Sequence, residues 1–315
     1  MVALAVLLAL VAASLLVGAG DMTLSALWSG EDGAALLVLA ASRVPRTLAL
    51  VFAGLSMGVA AVIMQMLFRN RFVEPTTAGT AEAARLGLVS VMLAAPELPM
   101  LGKMLVAAAF ALAGTFLFLR IVERLSLRTT LVVPLVGLIL GGVIDSVSVF
   151  LAYRFDLLQA LAAWTTGDFS GVLRGRYELL WIAVPLAVLA YLAADRFTVA
   201  GLGDAFATNL GLDYRKVVSF GLVIVSLVTA ACVVTAGTVP FLGLIVANVV
   251  ALVLGDNLRR TLPWVALCGA IFLLACDITG RLIRFPYEIP VGTVAGVLGS
   301  AVFLYLLLGR RYRLG

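Results

Sequence analysis

The chain has no histidine, and only 12% of its 315 residues are charged. The first absence removes the commonest metal ligand and the side chain best suited to moving protons near neutral pH. The second removes the charged surface of a soluble domain, which carries about twice that fraction. Cysteine is scarce as well: Cys232, Cys268 and Cys276 show no C-x-x-C spacing and sit inside apolar runs. They read as packing residues, inert when buried, rather than a metal or redox site. No G-x-x-x-x-G-K-[ST] stretch occurs, which excludes ATP hydrolysis through a phosphate loop of the chain's own. An intramembrane enzyme needs a nucleophile beside a base at depth; here the one such pair is Asp145–Ser146.

Apolar length is what the chain has in excess. Hydrophobic residues make up 63% of it, more than one water-soluble core of this size can enclose, so lipid must solvate much of the surface. A helical span takes roughly 20 apolar residues to cross about 30 Å of hydrocarbon, and with roughly ten residues per connection the length holds about ten spans. In lipid the backbone must satisfy itself, which leaves helices or a closed barrel. The apolar runs are continuous, without the period-two alternation of barrel strands. The expected fold is therefore all-α, a polytopic membrane bundle forming a single domain over 1–315. Its spans are expected near 2–19, 46–68, 79–95, 101–120, 131–152, 178–194, 217–237, 240–254, 263–280 and 291–308. The eighth is short, and Glu82 and Arg85 interrupt the third. Met1 to Gly20 lacks a positive n-region and an A-x-A cleavage site and reads as a first span.

The net charge of +5 is not a nucleic-acid footprint, because the basic residues are scattered at helix ends, where they set orientation. With the N-terminus cytoplasmic, thirteen of the 22 fall in inner segments: Arg69, Arg71, Arg120, Arg124, Arg128, Arg196, Arg215, Lys216, Arg259, Arg260, Arg310, Arg311 and Arg313. Asp21, Glu31, Asp32, Glu97, Asp156 and Asp168 fall outside, with Arg43, Arg46, Arg154, Arg174, Arg176, Arg281 and Arg284. This bias puts both termini in the cytoplasm. Glycines four apart, Gly54 and Gly58, Gly137 and Gly141, Gly292 and Gly296, allow close approach between helix backbones.

Between the sixth and seventh spans, Asp195 to Lys216 is polar enough to leave the membrane. Within it Leu202, Phe206 and Leu210 repeat at helical spacing, with Gly203-Asp204 as an N-terminal cap and Gly211 as a stop. A short amphipathic helix there either docks a soluble partner or lies in the lipid interface. Charges at membrane depth invite functional readings of their own. Glu82 and Arg85, three apart on one helix, are expected to pair with each other rather than to contact substrate. Asp145 either lines a watery pathway or neutralises an arginine on a neighbouring helix. Asp277, one turn before Arg281, is expected to orient it.

Several stretches resemble a known family. Arg43-Val-Pro-Arg46-Thr-Leu leads into an Ala/Gly-rich span that ends Gln65-Met-Leu-Phe-Arg-Asn-Arg-Phe-Val-Glu74-Pro75. Gly237-Thr-Val-Pro-Phe-Leu-Gly-Leu-Ile-Val246, Gly255-Asp-Asn-Leu-Arg-Arg-Thr-Leu-Pro263, Gly269-Ala, Asp277 with Arg281, and Glu288-Ile-Pro-Val-Gly292 follow in order. Together they resemble the FecCD-type permeases, membrane subunits of ATP-driven importers for ferric siderophores, haem and cobalamin. The resemblance covers nearly the whole chain.

What the resemblance implies is a dimer, homomeric or with a paralogue, of ten-span subunits in the bacterial inner membrane, with the pathway along their interface. A separate ATPase, carrying ATP and Mg, would dock on Gly203, Asp204, Ala205, Phe206, Asn209, Leu210 and Gly211. A periplasmic binding protein would set its carboxylates against Arg43, Arg46 and Arg281, pairs that give register and fast encounter. This chain would bind no cofactor and would be no enzyme itself. Ferric catecholates are anionic, so Arg154 and Arg284 near the outer mouth could steer them. Two motifs depart from the family's usual form: Ala247-Asn248 replaces Pro-His or Pro-Asn, and Asn70-Arg71-Phe72-Val73 replaces Asn-Pro-Leu-Ala. Both resemble the ferric siderophore branch and point away from cobalamin. The competing reading is a secondary transporter driven by an ion gradient, for which midplane charges in both halves are typical; Asp145 has no counterpart in the second half.

Overall fold

The structure, a computed structural model, describes residues 2–17, 37–125 and 132–308, and all its secondary structure is helical. Asp21, Glu31, Asp32, Arg128, Arg310, Arg311 and Arg313, used above for orientation, lie outside the described residues. Thirteen α-helices follow one another among them. These are α1 (Val2–Leu16), α2 (Val44–Leu67, entered through a π-helical turn Leu39–Arg43), α3 (Thr80–Ala94), α4 (Met100–Arg124) and α5 (Val132–Arg154). Next come α6 (Leu158–Thr165), α7 (Ala183–Leu192, after a 3-10 turn Tyr177–Ile182), α8 (Ala194–Ala200) and α9 (Asp204–Asn209). The chain continues through α10 (Tyr214–Ala236), α11 (Leu242–Leu254), α12 (Leu258–Ile283) and α13 (Val291–Leu308).

Five stretches are long and apolar enough to cross a membrane: Leu39–Leu67, Met100–Arg124, Val132–Arg154, Tyr214–Ala236 and Leu258–Ile283. A sixth crossing is the pair Tyr177–Leu192 and Ala194–Ala200, bent by 62° at its break. The shorter apolar helices α1, α11 and α13, together with α3, bring the crossing segments among the described residues to the expected ten. The expected polar loop over 195–216 is mostly helix instead. Ala194, Phe197 and Ala200 bury one face of α8, and Asp195 binds Arg259 at the start of α12 at 2.5 Å, so the bent sixth crossing continues past its expected end. Asp213 caps α10, accepting the Lys216 N–H at 3.2 Å.

Burial decides which helices are central. Of the apolar window in Leu39–Leu67, 83% is buried by the rest of the chain, against 22% in Val132–Arg154. The flank of α5 is therefore left to lipid or to another subunit. Helix α2 packs on α12 at nearly bare backbone: a Cβ on Gly54 would lie 2.4 Å from the Gly269 carbonyl oxygen. Gly137 and Gly292 face backbone oxygens of Thr77 and Thr166 as closely, whereas Gly296 has ordinary room. Replacing Gly54 with leucine should force α2 and α12 apart, at about 1–3 kcal/mol for overpacking. Its melting temperature in detergent should fall, while Gly142→Ala, which meets nothing within 4 Å, should leave it unchanged. An unaltered melt for Gly54→Leu would rule this helix pairing out.

Candidate functional site

At one end of the bundle, α1, α2 and α12 meet around two carboxylates. Arg46 donates to Asp277 Oδ1 from Nε at 3.0 Å and Nη2 at 2.6 Å, and from Nη1 to Glu288 Oε2 at 2.6 Å. Arg281 pairs with the other Asp277 oxygen and donates to the Ser14 and Val17 carbonyls at 2.9 and 2.8 Å. Arg43 donates to the Leu15 and Leu16 carbonyls at 2.8 and 3.0 Å. The last turn of α1, where a helix leaves carbonyls without partners, is thus closed by two guanidiniums.

Asp277 does orient Arg281, as expected. Arg43, Arg46 and Arg281, expected to face a partner's carboxylates, are 6%, 8% and 4% exposed in the single chain. Carbonyls and carboxylates of the same chain accept from all three, while Arg281 Nε is buried with no hydrogen-bond partner among the described residues. Among the exposed cations at this end, which include Arg174 and Arg176, Arg154 and Arg284 lie over the rings of Phe155 and Tyr287.

Near the middle of the bundle, Arg85 bridges two helices. Its Nη2 lies 3.3 Å from Glu82 Oε1 on α3 and 2.9 Å from Asp145 Oδ1 on α5. The expected pair is present, and Asp145 follows the second reading open to it, an arginine on a neighbouring helix. It neutralises Arg85, and with its side chain 38% exposed it borders an open cavity of about 470 Å³ with Ser146, Val149 and Tyr153.

At the opposite end stands α9. Its flanking Gly203 and Gly211 have φ of 109° and 80°, a region that glycine enters without steric penalty, as the cap and stop require. Asp204 accepts the Thr208 hydroxyl at 3.2 Å. Ala205, Asn209 and Gly211 are exposed and Gly203 is buried. Leu202, Phe206 and Leu210 are more than half exposed, at 55%, 51% and 60%, an apolar stripe that nothing among the described residues covers. Asp213, just after it, has its carboxyl held below the usual carboxylate range by hydrogen bonds to Lys216.

Between these regions runs a non-helical linker, residues 68–79. It holds Glu74, which is 1% exposed and which sequence reasoning passed over as part of a motif. Its Oε1 accepts the Phe241 N–H at 3.0 Å and the Thr76 hydroxyl at 2.6 Å, and its Oε2 accepts the Leu244 N–H at 2.9 Å. A carboxylate thus caps the start of α11. Asn248, in the altered family motif, donates to the Arg71 carbonyl at 3.0 Å and the Leu244 carbonyl at 2.7 Å. Helix α11 continues through Ala247 without a break. The available signal was a carboxylate beside a proline between two membrane spans, which membrane depth makes informative.

The sequence matches the FecCD transport family over residues 5–309. This chain belongs to that family. It is 52% identical over 274 residues to the petrobactin import system permease protein of Bacillus subtilis, covering 87% of this chain and 86% of that one. It is 40% identical over 299 residues to the ferric-anguibactin transport system permease protein of Vibrio anguillarum, covering 95% of both. In fold it superposes on a metal-chelate type ABC transporter in an inward-facing conformation with a TM-score of 0.80, at 21% identity, over 97% of this chain and 98% of that one. A FecCD chain is a multi-pass membrane permease and not itself an enzyme, which agrees with the missing phosphate loop.

Removing one partner of a buried ion pair strands the other charge. Asp277→Asn leaves Arg46 and Arg281 without their shared carboxylate and should cost about 3–5 kcal/mol. Asp256→Asn breaks an exposed pair with Arg71 and should cost about 0–1 kcal/mol. Thermal unfolding of the two purified variants distinguishes them, and equal melts would show that the Asp277 cluster carries no stability.

Proposed function

We propose that this chain is the membrane-spanning half of an ATP-driven, binding-protein-dependent importer that carries a ferric siderophore across the bacterial inner membrane. The observation that carries the mechanism is the uncovered stripe Leu202–Phe206–Leu210 on and around α9, in a transport-family chain without an ATP site. A hydrophobic ridge on a short helix fits a groove on a soluble partner, here the ATPase that holds ATP and Mg. The charge bias sets this end in the cytoplasm, with both termini on the same side. The end around Arg46 then faces the binding protein, and the uncovered flank of α5 suits a second permease subunit. The siderophore reading rests on the names of the two relatives and on the Asn70–Val73 and Ala247-Asn248 motifs.

In proteoliposomes with a cognate ATPase and binding protein, ferric catecholate bound to the latter should stimulate ATP hydrolysis, and cobalamin should not. Phe206→Glu should abolish ATPase attachment, because a charge would be buried in the apolar groove. Attachment of Phe206→Glu at wild-type strength would remove the docking role. Uptake driven by an ion gradient without ATPase would replace the whole reading.

Exposed Arg154 and Arg284 are placed to steer an anionic complex toward the entrance. The double change to glutamine should slow uptake most at low ionic strength and flatten its salt dependence. Identical salt curves for variant and wild type would sink the steering role.

A further inference from the structure

The linker 68–79 starts beside the helix read above as the ATPase dock and ends against α5, whose open side borders the cavity at Asp145. At its start, Arg69 stands at Gly203, where a Cβ would lie 3.1 Å from Arg69 Nη1. Arg69 itself has a φ of 51°, so the chain leaves α2 by a sharp reversal. The linker then ties to α11 twice, through Asn248 to the Arg71 carbonyl and through Glu74 to the Phe241 and Leu244 N–H groups.

This first turn of α11 has no slack. A Cβ on Gly243 would meet Glu74 Oε2 at 3.0 Å and Ala61 Cβ of α2 at 2.2 Å. Past Glu74, the Thr77 carbonyl lies 2.0 Å from where a Gly137 Cβ would stand on α5. Gly79 meets Gly141 one turn on, and α3 then begins and delivers Arg85 to Asp145. Beyond Arg69, whose exposed side chain stands at the α9 end, the contacts are backbone against backbone or bonds from buried side chains, so displacement of the linker is passed on to α11 and α5.

The geometry points to Glu74 as the positioning residue through which motion of the ATPase-docked α9 reaches α11 and the cavity wall on α5. This inference rests on the reading of α9 as the docking helix. A carboxylate suits the post because both of its oxygens face donors. Glutamine offers one acceptor and one donor group, so one end of the tie is lost whichever way the amide turns. The linker and α11 can then move independently. Aspartate keeps two acceptors on a shorter arm. Asn248→Ala removes the second tie without touching the first.

The test uses complexes of wild type, Glu74→Gln, Glu74→Asp and Asn248→Ala with the cognate ATPase in proteoliposomes, and binding protein loaded with a ferric catecholate. It records ATPase attachment, unstimulated hydrolysis, stimulation, and substrate imported per ATP. Glu74→Gln is expected to attach and hydrolyse ATP at the unstimulated rate but import about tenfold less substrate per ATP, a middle value for coupling between distant sites. Glu74→Asp should recover part of that ratio, and Asn248→Ala should lower it in the same direction, which carries the test if Glu74→Gln does not fold. A ratio that stays at the wild-type value overturns the inference, as does a loss of all readouts in proportion to the amount of assembled complex. A wild-type complex that shows no stimulation sinks the docking reading with it, whereas a stimulated wild type with unchanged variants sinks this inference alone.

Discussion

Lipid gives a peptide group nothing to bond, and each unmade hydrogen bond at depth costs several kcal/mol. Wherever this chain leaves helix inside the bundle, other parts of the protein therefore close its backbone. Asn70 Oδ1 accepts the Phe72 N–H, and Thr77 both accepts the Glu74 N–H and donates to the Phe72 carbonyl. Glu74 takes the open N–H groups at the start of α11. On the far side of α11, Thr238 donates to the carbonyls of Trp164 and Thr165 through its N–H and hydroxyl. In these irregular segments side-chain bonds stand in for part of the i to i−4 ladder.

The same constraint arranges the charges. A buried ion pair is poor evidence of stability, since desolvation consumes much of the attraction, so what the pairs fix is register. Arg46, Asp277, Arg281 and Glu288 draw residues from α2, α12 and the segment before α13 to one point, and Arg281 adds the end of α1. Glu82, Arg85 and Asp145 do the same for α3 and α5. Sliding any of these helices by one turn would separate at least one buried charge from its partner. Apolar packing alone does not enforce that, because lipid tails are as apolar as the helices they touch.

The parts of this design that depend on period and composition were legible from the residues. Long apolar runs announced ten crossings, and glycines four apart announced the bare contact between Gly54 and Gly269. The stripe through Phe206 and its flanking glycines announced α9. What pattern could not show was which way a polar side chain turns. Arg46 and Arg281 at helix ends look the same in sequence whether they face a partner or fold inward onto Asp277. Glu74 was hidden for the same reason: its three donors come from Thr76 nearby and from residues 167 and 170 positions away. The bend after Leu192 was likewise lost in a polar stretch, because Ala194, Phe197 and Ala200 bury too few residues to give a periodic signal.

Helix α3 has 15 residues and α11 has 13, both short of the roughly 20 that a straight crossing takes. Their missing turns are replaced by the linker 68–79 and the segment before Leu242, which meet at Glu74. A continuous helix would satisfy the same peptide groups with local bonds and no buried carboxylate. The longer-range solution has a different mechanical property. A helix is held along its whole ladder, whereas this segment is held by a few side-chain bonds, so its position follows Glu74 and Asn248. Helix α3 meets α5 through the Arg85–Asp145 pair, and the linker that precedes it starts at the α9 end. The chain thus joins α2 to α12 through bare backbone contact and ties the linker between its two ends to α11 through Glu74 and Asn248.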